Sequence, residues 1–343
     1  MTSDVPPATP PAPETTAPPS GSPRVQGLTT FTIEGRRAPA LFVVGWLATI
    51  LGLGILVIGF AGPRGTATGV LVLVGLLALS VGLVSMAGSQ AIERRAAGAA
   101  YAGPSPVLLF AASVAVSSIG ASLIGLLARL AGLDPEGMPT TILVLALIQA
   151  TYLALTRLLL VGTGALSWTD MGFRPLGRPA VAELAMGMTY AIPVIVVTVI
   201  IAAIATLILP VVPESPLPPT GSTIGLLLNL LGGAVLVPIG EETMFRGVAT
   251  TAWRLTDGVQ RAIVQGALFF AIVHVLQVGG TSPTQALALA AVAFVTRVPV
   301  GLALGWLFLS RRSIWAPIGL HAAFNGLLLV LAEASLRGGP PAG

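Results

Sequence analysis

The sequence predicts an all-α fold: a polytopic transmembrane helix bundle of about eight to nine spans, with the active site inside the bundle. Three observations carry the prediction. The chain is 55% hydrophobic, with a mean hydropathy of +0.93. Only 9% of its residues are charged, against about 25% in soluble domains. Its apolar residues are gathered into long runs, each near the ~20 residues that a bilayer helix needs. No soluble core could hide this much apolar surface, so the remaining solvent is lipid.

The elements follow in order. Residues 1–27 are rich in Pro, Ala, Thr and Ser and have no apolar period, which predicts a disordered tail. The first apolar run starts too far from Met1 for a signal peptide. Residues 28–138 open with Arg36 and Arg37 and contain three apolar runs, Ala38–Phe60, Thr66–Ala87 and Ser105–Leu130. Residues 139–334 contain six more: Pro139–Val161, Met186–Val212, Thr223–Thr250, Ala262–Val278, Gln285–Leu309 and Ile314–Ala334. Pro299 is expected to interrupt the run that contains it. Residues 335–343 form a short tail.

All 17 basic residues are arginine, and their placement tests the span count. With the N-terminus inside, the inner segments contain Arg24, Arg36 and Arg37; Arg94 and Arg95; Arg174 and Arg178; Arg254 and Arg261; Arg311 and Arg312. The outer segments contain Arg64 and Arg337, with Arg129 at the outer end of the third run, along with Asp134, Glu136 and Glu214. This alternation predicts a multi-pass protein of the cell membrane with a cytoplasmic N-terminus. Trp168, Trp253 and Trp315 fall at inner boundaries, where an aromatic belt sits. Scattered arginines with no basic patch argue against nucleic acid as a partner. The absence of cysteine excludes disulfides, a thiol nucleophile and thiolate metal sites.

The polar residues inside apolar runs are the informative ones, because a charge at mid-bilayer costs about 2.5–3.5 kcal/mol on insertion scales. Glu241 and Glu242 lie in Pro238-Ile-Gly-Glu-Glu-Thr-Met-Phe-Arg-Gly247, in the inner half of their run. Adjacent helical positions differ by about 100°, so the two carboxylates point different ways. Arg246, four residues on, shares a face with Glu242 and would hold it ionised. Glu241 is then left to face the bundle interior. The chain's two histidines, His274 and His321, both fall within runs, and His321 shares a helix face with Asn325. A lone membrane histidine is often an interhelical hydrogen-bond partner. Two histidines beside a glutamate pair point instead to chemistry. Arg297 is deep enough to line a cavity or pair with a carboxylate, whereas Glu333 reads as interfacial.

This set suits amide hydrolysis. A carboxylate can take a proton from water, and imidazole and carboxamide N–H groups can stabilise an oxyanion. No cofactor is expected. A divalent metal held by Glu241, His274 and His321 is the less favoured alternative, since no His-Glu-x-x-His stretch is present. There is also no phosphate loop, dinucleotide fingerprint or nucleophile elbow.

The series Glu241-Glu242-x-x-x-Arg246, Phe270-x-x-x-His274 and His321-x-x-x-Asn325 resembles the signature of the CPBP family. These are the CAAX-processing and bacteriocin-processing intramembrane endopeptidases, also called the Abi family. The likeness extends over roughly residues 139–334, including the flanks Phe245-Arg246-Gly247 and Ser313 to His321. It implies an intramembrane glutamic endopeptidase acting on a peptide or membrane-protein substrate. Glu241 would activate water, supported by Glu242 and Arg246. His274 would bind or polarise water and substrate, beside Phe270. His321 and Asn325 would form the oxyanion site. The arginine-only basic set and the Ala/Gly/Pro bias point to a bacterial source, so the CAAX name is not read as an activity. Two other classes compete: a non-catalytic scaffold or bacteriocin-immunity-type protein that retains the motif, and a proton-coupled transporter.

Overall fold

The computed structural model describes residues 36–63, 65–212, 215, 217–276 and 278–338. The expected tail at 1–27, most of 335–343, and Arg24, Arg64 and Glu214 lie outside the described residues. Among the described residues every regular element is helical. The helices are α1 (Pro39–Ala61), α2 (Thr66–Ala96), α3 (Pro106–Leu130), α4 (Met138–Val161), α5 (Arg178–Ile208), α6 (Thr223–Asp257), α7 (Val259–Val275), α8 (Pro283–Arg311) and α9 (Trp315–Gly338).

Eight of these are long and apolar enough to cross a membrane, while α7 has 17 residues. The nine apolar runs thus become eight full-length spans and one short helix. The turn from α6 into α7 is a single residue, Gly258, at φ +87°. That left-handed conformation costs glycine little and a residue with a Cβ considerably more.

Two proline positions behave differently. α5 breaks its helical pattern at Tyr190, three residues before Pro193. The Pro193 ring would clash with the carbonyl of Thr189, four residues back, if the helix ran straight. The interruption expected at Pro299 does not occur, and α8 is continuous through it. Membrane helices tolerate an internal proline where neighbouring groups satisfy the freed backbone.

The outer surfaces are apolar. Leu47, Ile50, Val57 and Phe60 of α1 are all at least 60% exposed, as lipid-facing side chains should be. The opposite side of α1 presents glycine to α2. A Cβ on Gly52 would lie 2.5 Å from the backbone nitrogen of Leu79, so the two backbones nearly touch.

α6 is the hub, packing against α3, α4, α7, α8 and α9. Two stretches of it, Leu231–Leu236 and Thr243–Thr250, adopt π-helical turns. In the second, the Thr250 and Thr251 hydroxyls donate to the carbonyls of Phe245 and Arg246 five residues back. Phe245 packs edge-on against Phe270 of α7 at 5.2 Å between ring centres. Phe110 of α3 joins the same cluster, 5.9 Å from Phe245 and 5.5 Å from Phe269. α3 therefore contributes directly to the core beneath the site. Trp168 and Trp315 are linked through Phe173, and Trp315 Nε1 donates to the Arg174 carbonyl.

Glu333, near the end of α9, is 2% exposed. Its carboxylate accepts from Thr220 N at 2.8 Å and pairs with Arg337 at 3.0 Å. Thr220, just before α6, supplies the donor that makes this burial tolerable.

Candidate active site

α6 turns its two adjacent glutamates into different surroundings, as a 100° step requires. Glu242 is fully buried, and its Oε1 accepts from Arg246 Nη1 at 3.0 Å and from His321 Nδ1 at 2.8 Å. Arg246 is also fully buried. Its second nitrogen donates to the Gly301 carbonyl of α8, and its guanidinium lies 4.5 Å from the centre of the Phe270 ring. The i,i+4 pair survives at the edge of a π-helical stretch because Glu242 precedes the widened turns. The contact with His321, 79 residues away, ties α9 to α6.

Glu241 faces a cavity of about 240 Å³. Its Oε2 is buried and has no hydrogen-bond partner among the described residues. His274 Nε2 lies 3.9 Å from that oxygen and His321 Nε2 lies 4.0 Å from it. These spacings exceed a direct hydrogen bond and match a bridging position between polar groups.

The ring partners fix the tautomers. A carbonyl only accepts, so the 2.7 Å contact to the Phe270 carbonyl makes His274 Nδ1 the donor. By the same logic His321 donates from Nδ1 to the Glu242 carboxylate. In the neutral rings both Nε2 atoms are acceptors turned toward Glu241. His321 presents a second N–H at Nε2 only when the ring carries both protons. Phe270 packs on both rings, with centres 4.4 Å from His274 and 6.0 Å from His321.

Asn325 lines the cavity and donates one Nδ2–H to the Gly233 carbonyl of α6 at 2.8 Å. Its other Nδ2–H is left for a ligand. The structure thus brings Glu241, Phe270, His274, His321 and Asn325 to one cavity, with Glu242 and Arg246 packed behind them. Among the described residues no group of three or more His, Cys, Asp or Glu side chains has the arrangement of a metal site.

Glu241 stands near the middle of α6, with residues 223–240 before it and 242–257 after it.

Three further residues line the cavity. Gln149 and Tyr152 come from α4, and Gln149 is 5% exposed with its Oε1 unpartnered among the described residues. A glutamine in the middle of an apolar run was a signal available in the sequence. Gly240 has no room for a Cβ against Gln149, which explains why α4 and α6 can approach so closely. Arg297 of α8 also lines the cavity.

Neither a curated protein nor a solved structure matches the chain. A family model does: residues 223–327 match the one described as Type II CAAX prenyl endopeptidase Rce1-like. The matched segment runs from the start of α6 into α9 and contains Glu241, Glu242, Arg246, Phe270, His274, His321 and Asn325. The chain is a multi-pass helical membrane protein whose residues 223–327 are similar to the Rce1-like endopeptidase family, a match consistent with the CPBP/CAAX proteases.

Proposed function

We propose that this protein is an intramembrane glutamic endopeptidase in which Glu241 activates water. The observation that carries the reading is the convergence of Glu241, His274 and His321 from three helices on one cavity, with Glu241 Oε2 unpartnered there among the described residues. A water seated between Glu241 and His274 would lose a proton to the carboxylate as its oxygen attacks the scissile carbonyl carbon. Asn325, through its spare Nδ2–H, and His321, in its doubly protonated form, would donate to the oxyanion. Glu241 would then return the proton to the leaving amine as the C–N bond breaks. Glu242 and Arg246 act one step removed, by holding the His321 ring in place. The substrate is a peptide or membrane-protein segment reaching the cavity from the bilayer. The protein would sit in the cell membrane with its N-terminus in the cytoplasm.

The test is a cleavage assay in proteoliposomes that compares the wild type with Glu241→Ala and His274→Ala. Loss of a general base costs roughly 10²–10⁴ in rate. Cleavage retained in both variants would sink the assignment.

A further inference from the structure

α4 forms a wall of the cavity that the mechanism does not use, and it lies outside the segment that matches the family model. Gln149 stands at the middle of this helix, with residues 138–148 before it and 150–161 after it. It is 5% exposed, lines the same cavity as Glu241, and takes part in none of the hydrogen bonds among the described residues.

The packing around it separates the two ends of the carboxamide. Oε1 is covered and sits against Gly240, where a Cβ would collide with it. The NH2 group is therefore the end that reaches the cavity. Gly240 immediately precedes Glu241, so α4 presents this donor close to the candidate base on α6. A buried amide without a partner is costly. That cost is removed when a ligand accepts the bond.

The chemistry of the site indicates which ligand atom. In their neutral forms both histidines turn acceptors toward Glu241, which is itself an acceptor. A scissile carbonyl needs donors as charge develops on its oxygen. Asn325 has one spare N–H, and His321 offers one only when doubly protonated. Oxygen is the acceptor that the substrate brings, and Gln149 is a donor with no other partner among the described residues.

We propose that the Gln149 NH2 group donates to the scissile carbonyl oxygen of the substrate and, with Asn325, completes an oxyanion site that does not depend on the protonation of His321. This rests on the endopeptidase reading and adds a residue from outside the matched segment. The competing role is that Gln149 is a spacer between α4 and α6.

The test uses full-length protein in proteoliposomes, a pool of apolar peptides, and phosphinate analogues of the same peptides, whose tetrahedral centre carries the oxyanion. Gln149→Met keeps the length of the side chain and removes the donor. Its kcat should fall ~100-fold, the scale of one oxyanion-site donor, with KM within about threefold of the wild type. Its affinity for the phosphinates should fall by the same factor as kcat/KM, which a spacer would not produce. Its melting temperature in detergent should equal or exceed that of the wild type, because the amide it loses holds no other element. An unchanged kcat, a loss carried by KM alone, or unchanged phosphinate affinity overturns the proposal. So does a melting temperature well below the wild type in both Gln149→Met and Gln149→Leu, which is the outcome for a spacer. If the wild type cleaves no peptide, the endopeptidase reading falls, and phosphinate binding alone decides the donor. Binding ~100-fold weaker in Gln149→Met would then still support it. Equal binding, or none to the wild type, would remove it as well.

Discussion

The α1–α2 hairpin and the α6–α9 bundle solve the problem of living in lipid in opposite ways. The hairpin has glycine at its contact and aliphatic side chains facing outward, with close backbone approach holding the two helices together. Around its cavity the bundle gathers the carboxylates of Glu241 and Glu242, the guanidinium groups of Arg246 and Arg297 and both imidazoles in the same apolar surroundings. Within the bundle the contrast repeats between adjacent residues. Glu242 is held through one oxygen, Oε1, by Arg246 and His321, whereas Glu241 and Arg297 take part in no hydrogen bond among the described residues. The lesson is that partnering separates polar groups that hold the fold from those turned toward a ligand.

The largest expected effect breaks the partnered set. Glu242→Ala strands Arg246 in the core, and removing one member of a buried pair costs about 3–5 kcal/mol. Thermal unfolding in detergent should show a large loss for Glu242→Ala and little change for Glu241→Gln. Equal losses would erase the distinction between the two glutamates.

The hairpin provides the intermediate case. Gly52→Val places new atoms against Leu79 and Gly75, and overpacking of this kind costs about 1–3 kcal/mol. Stability should fall while peptide cleavage stays within about twofold of the wild type, given equal amounts of folded protein. A selective loss of cleavage would tie the hairpin to the site.

The smallest effect is at Arg337, which is partly exposed and pairs with Glu333. Arg337→Ala should change stability by no more than about 1 kcal/mol, because Glu333 keeps its bond from Thr220 and the Arg337 side of the pair is open to solvent. A larger loss on denaturant titration would mean that the α5–α6 loop depends on this pair.

Much of this was legible in the sequence. The spans follow from the apolar runs, and the Glu242–Arg246 contact follows from helical spacing, because both are local. The His321–Glu242 bond and the packing of Phe110 beneath the site join residues far apart in the chain, and periodicity carries no information about them. Pro299 misled because local propensity yields to tertiary packing. The bond from Thr220 to Glu333 was not legible, because Thr220 lies on a loop whose path no run predicts. The π-helical turns of α6 have no mark in the hydrophobic pattern.

The most direct test of the central claim is the cleavage rate of Glu241→Gln against the wild type, in the same proteoliposomes and with matched melting temperatures. Glutamine keeps the shape and a hydrogen-bonding group but cannot accept the proton from water. The account predicts a fall of at least ~100-fold. Cleavage within a few-fold of the wild type would contradict it.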